Sequence, residues 1–226
     1  MRKIVFDIEA NGLDPTEIWC VVMYDVDSRN THVCYEKQYF WDWLVTDQME
    51  RDVEPVEFIG HNILGYDIPV LEKLWDISFA GHKLTDTLVM SRLAEPSRQG
   101  GHSLESWGDR LGCPKGEHSD WLNFSQDMVE YCKQDVRVNE LVYQRLLRDL
   151  RDFGTESVVL EGQVQRIISK QIENGWLLNQ RAAFNLLGEL KEKKFDLEDK
   201  VHEKFKPLPT FIKEITPKVK KDGTYS

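Results

Sequence analysis

Two acidic residues at the end of an apolar segment are the first candidates for chemistry in this sequence. Asp7 and Glu9 follow the apolar residues 4–6 and are separated by one residue. Side chains two residues apart on a β-strand point to the same face, where two carboxylates repel each other and do not help folding. Acid pairs at strand ends are where α/β enzymes place catalytic groups, although a solvated strand edge is the commoner explanation.

Two further segments combine an acid with an amide or aromatic side chain. Asn62, Tyr66 and Asp67 stand at the expected start of a helix. Tyr131 and Asp135 are four residues apart on a predicted long helix, so that they share one face, one turn apart. Taken alone, Asp67 would cap its helix, Tyr66 would pack in the core, and the Tyr131–Asp135 pair would be a surface feature.

Hydrophobic periodicity and turn residues predict the elements that carry these side chains. Strands are expected over 2–8, 17–25, 31–36, 56–60 and 83–86, and helices over 38–49, 66–76, 87–94, 103–111 and 124–150. Asp86 is expected to cap the helix that follows it. Strands first, with helices flanking a mixed sheet, predict a layered α/β domain over residues 1–150.

The pattern changes after Gly154. A helix over 155–173 ends at Asn174-Gly175, and a second helix, capped by Asn179, continues to about residue 205. We therefore predict a separate helical segment over residues 151–226.

Composition limits the class of protein but not its activity. The chain has 226 residues, of which 41% are hydrophobic and 30% charged, which is typical of a soluble globular protein. No apolar run approaches the roughly 20 residues that span a bilayer, and the start does not resemble a signal peptide. We therefore expect a cytoplasmic protein without a membrane partner.

The charge is unevenly distributed along the chain. Residues 1–150 contain 27 acidic and 15 basic residues, whereas residues 151–226 contain 12 and 14. An acidic domain is unlike a sequence-reading duplex binder, but it is compatible with a nuclease that holds metal ions. The four cysteines (Cys20, Cys34, Cys113, Cys132) form no CxxC pair, so we expect buried, reduced side chains and no zinc site.

The acidic segments, taken in order, resemble the three motifs of the DEDD exonucleases. Tyrosine four residues before the last aspartate resembles the DEDDy branch, since the DEDDh branch would have histidine at position 130, which is Glu130 here. The segments DIEANGL, GHNILGYDIPVL, DTLVMSRL, HSLESWGDRLG with KGE after it, and EYCKQDV are similar to the proofreading domain of T-odd phage-type DNA polymerases of family A. The segment KQIENGWLLNQRAAFNLLGEL is similar to the start of the polymerase region in that family. The chain stops before any polymerase palm or fingers motif.

The resemblance implies a ribonuclease H-like three-layer fold and a two-metal 3′→5′ exonuclease. It implies that Asp7, Glu9 and Asp135 hold one ion, with Asp7 bridging to a second ion served by Asp67. The ions would be Mg²⁺, with Mn²⁺ as an alternative, and Tyr131 would orient the attacking water. The 3′ end of single-stranded DNA would be the substrate, and nucleoside 5′-monophosphates the products.

The same resemblance implies a set of substrate-binding residues, namely Leu13, Asn62 and Tyr66. Leu13 would wedge near the terminal bases, Asn62 would contact the terminal nucleotide, and Tyr66 would either stack or pack in the core. Trp107 and Trp121 are expected to be core residues, and His61 a packed or hydrogen-bonded one.

Two other functions stay open from sequence alone. One is a DEDDy exoribonuclease of the ribonuclease D kind. The other is a non-catalytic docking module of a split polymerase, whose partner would be a separately encoded polymerase subunit.

Overall fold

A mixed sheet of five strands lies at the centre of the fold in the computed structural model, which describes residues 1–43, 55–116, 118–206, 208, 210, 212–214 and 220. The strands are β1 (Lys3–Ala10), β2 (Ile18–Asp25), β3 (Thr31–Cys34), β4 (Glu57–Gly60) and β5 (Lys83–Asp86), in the order β3-β2-β1-β4-β5. β1, β2 and β3 pair antiparallel, while β4 pairs parallel with both β1 and β5. This is the ribonuclease H-like arrangement that the sequence predicted.

Helices cover both faces of this sheet. They are α1 (Gln38–Asp42), α2 (Asp67–Trp75), α3 (Thr87–Ala94), α4 (Leu104–Leu111) and α5 (Gln126–Asp149). Two further helices, α6 (Thr155–Asn174) and α7 (Gln180–Lys204), follow later in the chain. α1 and α2 contribute to the core on one face, and α3, α4 and α5 to the core on the other. The three-layer prediction is therefore confirmed.

The alternation of side chains along β1 decides which groups meet which helices. Ile4, Phe6 and Ile8 pack into the core on the α2 side, whereas Val5 packs into the core on the α5 side. Because side chains alternate along a strand, Asp7 and Glu9 share the face of Val5 and point toward α5. β1 continues through Glu9 to Ala10, so both acids lie within the strand and not after it.

Side chains cap the starts of four helices, and two of these caps, Asp86 and Asn179, were predicted from the sequence. The side chains of Asp86, Ser103 and Ser125 accept backbone N–H groups at the starts of α3, α4 and α5, and Asn179 does so for α7. The predicted helix over 38–49 is seen as α1 over Gln38–Asp42, and residues 44–54 lie outside the described part of the chain.

The chain divides into two compact units, residues 1–174 and 175–226. The first unit includes α6, which contacts α3 and β5. The predicted division into residues 1–150 and 151–226 stays a prediction. The contacts of α6 group this helix with the elements that precede it. None of the described helices has an apolar stretch long enough to cross a membrane.

Candidate active site

Asp7 and Glu9 meet the side chain of Cys132 where β1 faces α5. One ligand atom from each of these three residues lies within 4.8 Å of the other two. The Cys132 thiol is 3.6 Å from Oδ2 of Asp7 and 3.5 Å from the Asp7 carbonyl oxygen. Glu9 is only 6% exposed. Glu9 is thus buried and Asp7 partly exposed, and the two acids form a carboxylate pair at the boundary between sheet and helix.

Asp67 reaches the same pair from the first residue of α2. Its Oδ1 accepts a hydrogen bond of 3.2 Å from the backbone N–H of Ile8, the residue between Asp7 and Glu9. The Asp67 side chain is buried, with 3% of its surface exposed. The N-cap residue of α2 is Tyr66 and not Asp67, so the predicted capping role is wrong, and the Asp67 carboxylate is instead fixed against β1.

Asp135 completes the cluster from the middle of α5, with Tyr131 one turn before it. Oδ2 of Asp135 forms an ion pair of 2.6 Å with Nζ of Lys115. Oδ1 is buried and has no hydrogen-bond partner within the described part of the chain. Tyr131 is partly exposed, and its ring lies 5.5 Å from that of Trp121 and 5.9 Å from that of His118.

Burial and mutual repulsion raise the pKa values of these carboxyl groups. Burial raises the pKa of Asp7 well above its usual range, and the charges of Asp67, Glu9 and Asp135 raise it further. Burial, followed by the charge of Asp135, raises the pKa of Glu9 to about 9. Burial also raises the pKa of Asp67 to about 7 and raises that of Asp135, which Lys115 opposes. The cluster therefore favours a bound positive charge, which at neutral pH can be a proton or a metal ion.

The donor set fits hard divalent cations. Four carboxylates supply oxygen ligands of the kind that Mg²⁺ and Mn²⁺ prefer. The unpartnered buried oxygen of Asp135 needs a partner, because an unsatisfied buried acceptor costs about 1–3 kcal/mol. Asp7, Glu9, Asp67 and Asp135 are thus the residues that would hold the metal.

The predicted substrate-binding residues lie in the two loops that flank the cluster. Leu13 follows β1 and is 95% exposed. The Tyr66 hydroxyl donates a hydrogen bond of 2.6 Å to the Gly12 carbonyl oxygen, which holds the loop that carries Leu13. Asn62 is partly buried and adopts a left-handed backbone conformation with φ of 67°. Their roles in binding substrate remain predictions.

Asp86 fixes the Asn62 turn as well as α3. Its carboxylate accepts backbone N–H groups from Asn62 at 2.9 Å, Leu64 at 3.0 Å, Leu88 at 2.9 Å and Val89 at 3.4 Å. Asp86 itself is 4% exposed. The predicted capping of α3 by Asp86 is confirmed. The structure shows in addition that Asp86 binds the turn that contains Asn62 and Leu64.

Replacing Asp86 with alanine should therefore cost far more stability than loss of an ordinary cap. We expect Asp86→Ala to lower the free energy of unfolding by about 3 kcal/mol, because four buried N–H groups lose a charged acceptor. Urea denaturation would measure this loss. Ser103→Ala removes an exposed cap that accepts only Ser106 N–H and should cost about 1 kcal/mol. Equal losses in the two variants would contradict the dual role of Asp86.

Several groups beside the site were not predicted to be there. Lys115 belongs to the KGE segment, which resembles the family, but the sequence predicted no role for this lysine. Cys132 was expected to be an inert core residue, yet its thiol contacts Asp7. Trp107 is buried as predicted, but Trp121 is only partly buried and stands against Tyr131. Only the spacing of Cys132, three residues before Asp135 on the same helix, indicated that its thiol could lie on the face that carries Asp135.

His61 is hydrogen-bonded, as expected. Its Nδ1 lies 2.9 Å from the Thr87 hydroxyl. Burial lowers the pKa of His61 to about 4, so this side chain is neutral at physiological pH.

Comparisons of sequence find phage polymerases. No known family model matches the chain. It is 29% identical to the DNA-directed DNA polymerase of Escherichia phage T7 and 28% identical to that of Enterobacteria phage T3. Each alignment covers 96% of this chain but 42% of the phage protein, so the chain spans about two fifths of the length of these relatives. The alignments extend over 296 positions, more than the 226 residues of the chain, so the relatives contain segments that it lacks.

Comparisons of structure find nucleases with the same fold. NrnC of Brucella melitensis superposes with a TM-score of 0.57 at 22% identity, over 77% of this chain and 86% of NrnC. The catalytic core of RRP6 from Trypanosoma brucei superposes with a TM-score of 0.51 at 16% identity, over 75% and 46% of the two chains. At these identities the likeness establishes the fold alone. Along nearly its whole length, the chain is thus similar in sequence to the polymerases of T-odd phages, which confirms the resemblance that its motifs indicated.

Proposed function

We propose that this protein is a metal-dependent 3′→5′ exonuclease that shortens single-stranded or frayed DNA. The observation that carries the proposal is the convergence of Asp7, Glu9, Asp67 and Asp135 on one buried cluster beside Tyr131. Similarity to phage DNA polymerases supports DNA as the substrate. NrnC has the same fold, and one of its structures contains bound Mg²⁺, which supports a divalent ion in a site of this kind.

The four carboxylates would hold two divalent ions. Asp7 lies beside Glu9 and within electrostatic reach of both Asp67 and Asp135, which suits a ligand shared by two ions. When bound, such ions generate a hydroxide nucleophile and stabilise the leaving oxygen of a phosphodiester. The protein's own contribution is to keep four acids, which repel one another, at fixed positions on β1, α2 and α5.

Tyr131 would orient the attacking water by hydrogen bonding. Burial raises the pKa of Tyr131 above its usual range, so the phenol keeps its proton at neutral pH and donates it in a hydrogen bond. It therefore acts as a positioning group and not as the general base. Attack on the last phosphodiester would release nucleoside 5′-monophosphates.

The substrate strand would approach along the loop that carries Leu13. An apolar side chain that is 95% exposed is suited to stack against or separate terminal bases, which is how single strands are held without sequence preference. The Tyr66 hydroxyl is already bonded to Gly12, so we propose that Tyr66 supports this loop and that Asn62 contacts the terminal nucleotide.

Digestion of labelled oligonucleotides tests the proposal. With a 5′ label and Mg²⁺, single-stranded DNA should yield a ladder of products that shortens progressively from the 3′ end. The ladder should disappear with a chelator and return when Mg²⁺ or Mn²⁺ is added. A matched oligonucleotide with a blocked 3′ end should stay intact, and RNA of the same sequence should be cut more slowly. Internal cuts in the blocked strand, or no cutting of any strand, would refute the proposed activity, and faster cutting of RNA would refute the proposed substrate.

A further inference from the structure

A lysine stands inside the acidic site. Nζ of Lys115 lies 2.6 Å from Oδ2 of Asp135, and only 21% of the lysine side chain is exposed. The same ammonium is 5.0 Å from the centroid of the Tyr131 ring and interacts with the Tyr131 side chain. Lysine side chains are rarely covered to this extent unless they are paired. The pairing here is with a carboxylate of the candidate metal site, so we ask what it does for that site.

The loop that carries Lys115 is fixed to the helices on either side. Gln134 on α5 donates a hydrogen bond of 2.9 Å to the Pro114 carbonyl oxygen. The backbone N–H of Cys113 donates to the carbonyl oxygen of Gly108 on α4 at 2.9 Å. A Cβ on Gly108 would lie 2.7 Å from the Cys113 carbonyl oxygen, so a side chain there would push the loop away. The position of Lys115 is therefore built into the fold.

Lys115 makes the environments of the two carboxylate oxygens of Asp135 different. Oδ2 is taken by the ammonium, while Oδ1 is buried and has no partner among the described residues. A contact to one oxygen restrains the rotation of the carboxylate, so that its second oxygen favours one direction. Lys115 and Tyr131 also line a cavity of about 710 Å³.

We propose that Lys115 is a positioning residue of the active site, which holds Asp135 and Tyr131 together on α5 and presents the free oxygen of Asp135 to the metal ion. This inference rests on the proposed exonuclease function. A lysine side chain is protonated at neutral pH, so the group that pairs with Asp135 is a charged ammonium. Its charge lies close enough to weaken the binding of a cation at Asp135, while its contacts order the groups that act in hydrolysis.

The variant Lys115→Met should therefore change binding and rate in opposite directions. We expect Mn²⁺ to bind the metal-free protein, without DNA, at least about threefold more tightly, because one repelling charge near the ion is removed. At saturating Mn²⁺, kcat for single-stranded DNA should fall about 100-fold, since small displacements of catalytic groups have effects of that size. Lys133→Met is the matched control, because Lys133 pairs with Glu130 on the surface of α5. The control should leave both quantities at their wild-type values.

Each other outcome overturns the inference. Unchanged Mn²⁺ affinity would mean that the ammonium is not beside the bound ion, and unchanged kcat would mean that it orders nothing needed for cleavage. Loss of Mn²⁺ binding and rate together, with a lower Tm, would indicate a purely structural role. If the wild-type protein does not cut DNA, the exonuclease proposal fails separately, and the Mn²⁺ titration of Lys115→Met still decides whether Lys115 faces the metal.

Discussion

Exchange of Asp7 and Glu9 for alanine should reduce the rate of DNA shortening by a factor of at least about 10³, which corresponds to roughly 4 kcal/mol of transition-state stabilisation. Asp7 is the acid that the other three carboxylates all influence, and Glu9 shares its face of β1. Removing both should take away the ligands of the ion that generates the nucleophile. Single-turnover cleavage of 5′-labelled DNA at saturating Mg²⁺ measures the loss.

The same double variant should fold at least as well as the wild-type protein without metal. Two acids whose ionisation is opposed by burial and by their neighbours' charges are replaced by small neutral side chains, so the metal-free Tm should rise or stay the same. The double variant Asp27→Ala/Glu36→Ala removes two exposed acids and serves as the charge-matched control, with wild-type activity expected. If the site variant kept more than a tenth of the activity while folded, the metal site would have to lie elsewhere.

Much of this fold follows from local sequence signals. Alternation along β1, the capping residues Asp86 and Asn179, and the Asn174-Gly175 stop are each encoded within a few residues, and the structure places elements where these signals predict them. Apolar periodicity along α5 also indicated its buried face. Local signals of this kind determine which residues form strands and helices and which faces they bury.

Local signals do not determine which residues form the candidate site, because the site depends on contacts between distant segments. Asp7 and Asp135 were connected only through a family resemblance, since no local pattern shows that β1 and α5 meet. Lys115 lies in a loop, and its contact with Asp135 depends on how Gly108 and Gln134 hold that loop. Trp121 was expected in the core because tryptophan is large and apolar, but its ring stands beside Tyr131 and remains partly exposed. Loop side chains are positioned by tertiary contacts that short-range patterns do not contain.

Metal-free protein should lose stability as pH rises from about 6.5 to 9. Burial raises the pKa of Glu9 to about 9 and that of Asp67 to about 7. In the unfolded chain these acids lose their protons near pH 4–4.5, whereas the folded protein keeps them to higher pH. The folded state therefore binds more protons throughout this window, so the free energy of unfolding falls as pH rises. Glu9 alone should contribute about 3 kcal/mol across 2.5 pH units, at 1.36 kcal/mol per unit.

The lower limit of this window is set by His61. Burial lowers the pKa of His61 to about 4, so this histidine has the opposite sign and increases stability between about pH 4 and 6.5. Above pH 6.5 both the folded and unfolded states contain neutral His61, and the carboxylates dominate. Urea titrations with chelator at pH 6.5, 7.5 and 9 measure the total loss, to which the buried thiols of Cys34 and Cys132 also contribute near pH 9 because burial raises their pKa. The difference between the wild-type protein and Glu9→Gln in these titrations gives the part that is due to Glu9.

Divalent ions should reverse the loss, because a bound ion neutralises the same carboxylates that protons neutralise at lower pH. The increase in Tm on adding Mg²⁺ should be larger at pH 9 than at pH 6.5, since at pH 6.5 the ion has to displace bound protons. Glu9→Gln should flatten the pH dependence and reduce the Mg²⁺ effect, while Glu36→Gln, at an exposed position, should change neither. Stability that rises with pH in chelator, or an equal Mg²⁺ effect at both pH values, would show that the acids are already ionised in the metal-free fold. In that case repulsion within the cluster would be relieved by solvent, and the tight burial of Glu9 would no longer explain why the site binds metal.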